Sequence, residues 1–142
     1  MRKINHVAVI VAAVAHFLLG AVWFTLLKDQ WIAGVGKTEQ QLMQAGNVAM
    51  AYCAAFVCNL LIAYTIGYLY LRLNCRGVAE GIKLAVIVWV GLVLSTMATE
   101  LVFEAASLRF ISIVAGYPLV GMVIMGAIIG AWPAKGNSTA SA

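Results

Sequence analysis

Four stretches of the sequence, residues 7–27, 48–71, 81–103 and 110–132, are almost continuously apolar and long enough to cross a membrane. A bilayer core of about 30 Å takes about 20 residues of helix, and each stretch meets that demand. The first is interrupted only by His16 and Thr25, and the second carries Asn59 and Thr65 in its interior. The third has Lys83 near its start and Glu100 near its end; the fourth has no charge. None alternates strictly, so helices are expected rather than barrel strands. In lipid every backbone amide must bond within its own segment, which a helix does by construction. The expected fold is all-α, a four-helix transmembrane bundle forming one domain over residues 1–133.

Composition agrees with that environment and excludes others. The chain is 64% hydrophobic and 10% charged, against roughly 45 to 50% and about 25% in soluble domains. Nine Lys/Arg and five Asp/Glu cannot cover a water-facing exterior, which excludes a soluble enzyme. The net charge of +4 is scattered in ones and twos and forms no basic stripe, so nucleic acid is not an expected partner. Cys53, Cys58 and Cys75 form no C-x-x-C pair and no zinc or disulfide framework. Phosphate-binding loops, paired nucleophile and base, and metal-ligand spacings are missing too, so no catalytic residue, cofactor or metal is expected.

Short polar turns at residues 72–77 and 104–109 should make consecutive spans antiparallel neighbours. Residues 28–47 are longer. Thr38-Glu39-Gln40-Gln41 reads as a capping box, and Gly46 stops a short helix ending near Ala45. Trp31, Ile32, Leu42 and Met43 would rest it on the membrane surface as an interfacial helix between spans 1 and 2. The tail, residues 134–142, is small and polar and is expected to be flexible. Arg2, Lys3, Arg72, Arg76, Lys83 and Lys135 fall on one side of the membrane, and Lys28, Lys37 and Arg109 on the other. The richer side should be cytoplasmic, giving an N-in, C-in multi-pass protein of a plasma or inner membrane. Arg2 and Lys3 before an apolar run, with Ala13-Val14-Ala15 behind, resemble a signal peptide. The run continues to Leu27, beyond the usual roughly 7 to 15 residues, which favours an uncut anchor.

Polar groups in lipid are costly, about 2.5 to 3.5 kcal/mol for a charge at mid-helix, so each should face a partner or water. Glu100 lies about 11 Å from the midplane by helical rise. At matching depth the other spans place Trp23, Tyr52 and Tyr117, with Glu104 and Arg109 just beyond. These six residues form a candidate polar cluster of donors around two carboxylates, suited to a proton relay or a cation site, or else a set of solvated and interfacial side chains. His16 and Asn59 sit near the middle of their spans and could form an interhelical hydrogen bond; a proton shuttle is the sharper alternative. Gly126-Ala-Ile-Ile-Gly130 is a G-x-x-x-G motif, which Gly116 and Gly121 extend, and Gly20 lies on a small-residue stripe of span 1. Span 4 is therefore either central in the bundle or a self-association face. Gly77-Val-Ala-Glu-Gly81 has the same spacing, but its place at a turn gives its glycines a backbone reason.

Several segments together resemble the membrane proteins grouped as domain of unknown function 1761. At the front these are Gly20-Ala-Val-Trp23-Phe24, then Trp31 and Gly36-Lys-Thr-Glu39-Gln-Gln-Leu42. At the back they are Phe103-Glu104, Ser107-Leu108-Arg109-Phe110, Ala115-Gly116-Tyr117 and Ile124-Met-Gly126-Ala-Ile-Ile-Gly130-Ala-Trp132. The resemblance implies a small multi-pass bacterial-type membrane protein whose activity the family label leaves open, and it carries over Trp23, Glu104, Arg109 and Tyr117. Phe24 stands where the family more often has Tyr, and Ala105-Ala106 replace a more polar turn. The resulting expectation is a structural or interaction protein in the bilayer, self-associating or serving as an accessory subunit of another membrane protein. The alternative is a small oligomeric transporter or channel using Glu100 and Glu104.

Overall fold

The computed structural model describes residues 3–44 and 46–132, which are helical apart from turns. Among the described residues seven α-helices run in order: α1 His6–Leu26, α2 Lys28–Val35, α3 Glu39–Gln44, α4 Val48–Arg72, α5 Gly77–Val88, α6 Ser95–Phe103 and α7 Leu108–Ala131. A π-helical stretch, Trp89–Leu94, joins α5 to α6, so the third rod is unbroken over Gly77–Phe103. Four rods among the described residues are long and apolar enough to span a membrane: α1, α4, the α5–α6 rod and α7. The third starts at Gly77 rather than residue 81, and the fourth at Leu108 rather than 110. The expected flexible tail, Arg2, Lys135 and Ala45 lie outside the described residues.

The helix ends reflect side-chain chemistry. Asn5, Asn47 and Ser107 cap α1, α4 and α7, accepting the amides of Ala8 (3.2 Å), Met50 (3.2 Å) and Phe110 (3.3 Å). Asn74 and Ala105 take left-handed conformations, φ 54° and 51°, and close the helices before them. Behind each, the next amide reaches back to the last turn, Cys75 to the Tyr70 carbonyl and Ala106 to that of Leu101 (both 3.0 Å). The capping box forms as its sequence requires: Thr38 Oγ1 accepts from the Gln41 amide, and Gln41 Oε1 accepts from the Thr38 amide at 2.9 Å. One expectation is corrected here. The 28–47 segment holds two short helices, because α2 continues from α1 through the Trp31 amide to the Leu27 carbonyl and stops at Gly36 (φ 70°).

Helix α7 is the centre of the bundle, packing on α5, α1 and α4. The core is built mostly from small or flexible side chains, including Ala12, Ala13, Ala63, Ala85, Met122 and Met125. Neighbours in sequence are not always the main neighbours in space: α1 packs more on α7 than α4 packs on α5. Glycine sets the closest approach in the bundle. A Cβ on Gly81 would stand 2.1 Å from the Gly126 carbonyl oxygen, and one on Gly130 would stand 2.5 Å from that of Gly77. The two G-x-x-x-G motifs therefore dock on each other within one chain. This corrects the reading of Gly81 as a turn glycine, while Gly77, with φ 74° and open space at its Cβ position, keeps its backbone reason; α7 is central rather than an open face.

Away from that contact the rods separate. Residues 48–58 of α4 are exposed except Phe56, and only Leu101 is buried on α6. The π stretch interrupts the face that α5 packs. On α5 the packed positions are Gly81, Leu84, Ala85 and Val88, a face that an uninterrupted α-helix would carry on through Leu92, Ser95, Thr96 and Thr99. Beyond the π stretch that face is not continued. The covered positions become Val93, Leu94, Met97, Ala98 and Leu101, while Ser95, Thr96, Thr99 and Glu100 turn outward.

Candidate functional site: an aromatic cleft beside α1 and α7

Rings exchanged for glycines hold α1 against α7. Tyr117 lies over Gly20, where a Cβ would come within 2.9 Å of the phenol oxygen; Trp23 lies over Gly116, and His16 over Gly121. A Cβ on Gly121 would stand 2.1 Å from His16 Cδ2, so that ring fits only because the glycine is bare. The Trp23 indole N–H donates to the Ile113 carbonyl at 3.1 Å. Replacing Trp23 with phenylalanine removes that bond, an expected loss of about 1 kcal/mol in detergent unfolding experiments. An unchanged unfolding midpoint would show that the bond contributes nothing.

His16 and Asn59 are both buried, 1% and 6% exposed. The structure does not join them by a hydrogen bond: both His16 ring nitrogens and Asn59 Nδ2 lack a partner. Tyr117 approaches both instead. Its ring centroid is 4.8 Å from that of His16, its hydroxyl donates to the His16 carbonyl at 3.4 Å, and its side chain interacts with Asn59.

The six-residue polar cluster divides. Trp23 and Tyr117 share the α1–α7 seam, whereas Tyr52 is 60% exposed on α4 and meets the edge of Phe17 at 6.2 Å. Glu100, Glu104 and Arg109 are exposed. The one ion pair among the described residues is elsewhere, Lys28 to Glu39 at 2.5 Å. Equal depth does not mean equal azimuth. Glu100 lies on the exposed face of α6.

Between α1 and the diverging half of α4 lies a cleft of about 520 Å³. Helix α1 lines it with Phe17, Gly20, Ala21, Phe24, Thr25 and Lys28; α4 adds Tyr52 and Ala55, and α7 adds Tyr117. Phe17 makes edge contacts with Tyr52 and Phe56 (5.7 Å for the latter), and Phe24 packs on Tyr117 (5.2 Å). Of this lining, sequence reasoning misses Phe17, Ala21, Phe24, Thr25, Lys28 and Ala55. The signal is present in the 3-1-3-1-3 spacing from residue 17 to residue 28, one stripe of a helix.

A family model described as a protein of unknown function (DUF1761) matches residues 7–130. No curated protein and no solved structure matches the chain.

Proposed function

The chain belongs to the DUF1761 family, and from its four membrane-length helices we propose that it acts by helix association in the bilayer, as an assembly of copies of itself. The supporting observation is the outward face of α6. Ser95, Thr96, Thr99 and Glu100 are exposed on a helix long and apolar enough to lie in lipid. Their hydroxyls donate to the helix's own carbonyls at 2.7 to 2.9 Å, which leaves oxygen lone pairs and the Glu100 carboxyl facing outward. A polar stripe facing acyl chains is costly, and a second polar stripe covers it. A hydroxyl that swings its one proton from its own helix's carbonyl to an oxygen of the facing stripe both donates and accepts, so the stripe can pair with its own copy about a two-fold axis. The glycine motif does not serve this role, because α5 occupies it. The carboxylate-based transporter finds no support in the geometry, since Glu100, Glu104 and Arg109 form no ion pair among the described residues. Residence in a plasma or inner membrane with both ends of the chain inside belongs to the same proposal. It rests on the greater number of Lys and Arg near the Trp132 end of the bundle.

Disulfide trapping tests the assembly. In a background with the three native cysteines replaced by alanine, Thr99→Cys should cross-link to a dimer in native membranes, while Leu61→Cys on the lipid side of α4 should not. Monomer at both positions overturns self-association, as does equal cross-linking at both. Monomer alone together with a copurifying protein that labels Thr99→Cys would assign the face to an accessory-subunit contact instead.

A further inference from the structure

We propose that the cleft between α1, α4 and α7 binds a single-chain amphiphile by its anionic head. The cavity falls within the range of about 300 to 1,000 Å³ typical of small-molecule sites. Its walls are apolar and aromatic, from Phe17 and Phe24 to the bare surface of Gly20 and Ala55. Its polar groups are mainly donors. The Lys28 ammonium stands at one end, the Tyr117 and Tyr52 phenols line the walls, and no acidic residue does. The Thr25 hydroxyl is already committed to the Ala21 carbonyl at 2.6 Å and the Tyr117 hydroxyl to the His16 carbonyl at 3.4 Å, which leaves Lys28 and Tyr52 to meet an anion. A donor-lined cavity with one cation and a greasy floor fits a carboxylate or phosphate carried on an apolar chain. The divergence of α4 leaves the side of the cleft between two membrane-length helices, where a chain can enter from the lipid.

The cation is not idle in the absence of such a molecule. Glu39, from α3 outside the lining, pairs with Lys28 at 2.5 Å. An anionic head must therefore compete with Glu39 for Lys28, and this gives the inference a sign. Removing Glu39's charge should strengthen binding and removing Lys28's should weaken it, whereas a merely structural ion pair would respond alike to either change.

The test uses the full chain in nanodiscs of neutral lipid with a diazirine-bearing hexadecanoic acid, and label sites are mapped by mass spectrometry. Label should concentrate on residues 17–28 and 52–55 over the lipid-facing controls Leu61 and Ile87. Hexadecanoate or hexadecyl phosphate should displace it, with hexadecanol much weaker; which of the two anions competes better distinguishes a carboxylate from a phosphate ligand. Glu39→Gln should raise cleft labelling and Lys28→Gln lower it, each by about threefold to tenfold. Gly20→Leu should abolish it by filling the cavity. Because that variant also presses on Tyr117, Ala55→Leu on the exposed wall serves as the second block. Uniform labelling along the lipid-facing surface overturns the site. Equal displacement by hexadecanol, or a fall in both charge variants, overturns the anionic head.

Discussion

Replacing Gly126 with leucine is expected to abolish the folded protein, and replacing it with alanine to cost about 1 to 3 kcal/mol. A Cβ at Gly126 would lie 2.3 Å from the Gly81 carbonyl oxygen, 2.7 Å from its carbonyl carbon and 3.0 Å from the Ala85 Cβ. The first two are backbone atoms of a rigid helix, so no rotamer change relieves the overlap and the α5–α7 axes must move apart. Gly81→Ala should behave the same way, since its Cβ would meet the Gly126 oxygen. Gly91 and Gly46 have open space around the missing Cβ, and alanine there should change stability by no more than about 0.5 kcal/mol. Unfolding by a denaturing detergent, read by helicity or by protease resistance, separates these cases. The decisive contrary result is a Gly126→Leu protein that stays folded and changes only its oligomeric state. That outcome would place the glycine contact between chains.

The second large effect is a coupled one. Gly121→Ala puts a methyl group 2.1 Å from His16 Cδ2 and 2.3 Å from Nε2, at a ring that is 1% exposed and wedged against Tyr117. The expected loss is again about 1 to 3 kcal/mol. Unlike the α5–α7 contact, the obstacle is a side chain and can be removed. In a His16→Ala background the cost of Gly121→Ala should largely vanish, giving a coupling energy of about 0.5 to 3 kcal/mol in the four-protein cycle. His16→Ala alone leaves a cavity but also removes two buried nitrogens that lack hydrogen-bond partners, so its own cost should fall below that of an ordinary core truncation. Additive effects of the two changes would mean that the ring and the glycine do not share space. A His16→Ala cost well above that of a core leucine truncation would mean that the ring nitrogens are partnered in the bilayer.

Sequence is legible wherever one segment carries its own information. Span limits come from runs of apolar residues, the Thr38–Gln41 capping box from four consecutive residues, and family membership from its motifs. It is not legible wherever two segments must agree. Depth groups Glu100 with Trp23, Tyr52 and Tyr117, and the structure faces it elsewhere. His16 and Asn59 share a level but not a hydrogen bond. The spacing of Gly77 and Gly81 suits a turn as well as a helix contact, and the matching spacing of Gly126 and Gly130 does not tell which helix faces which.

Hydrophobic length and helical rise are one-dimensional properties, so the chain's order of residues suffices to fix four membrane-length helices, their caps and their turns. Rotation of each helix about its axis is not such a property. It was decided by where bare glycines admit a neighbouring backbone or ring, and on the third rod by a π stretch beyond which the hydroxyls and carboxyl of α6 lie outward. Neither the cleft beside α1 nor the polar face of α6 exists until those rotations are set, because both are relations between helices.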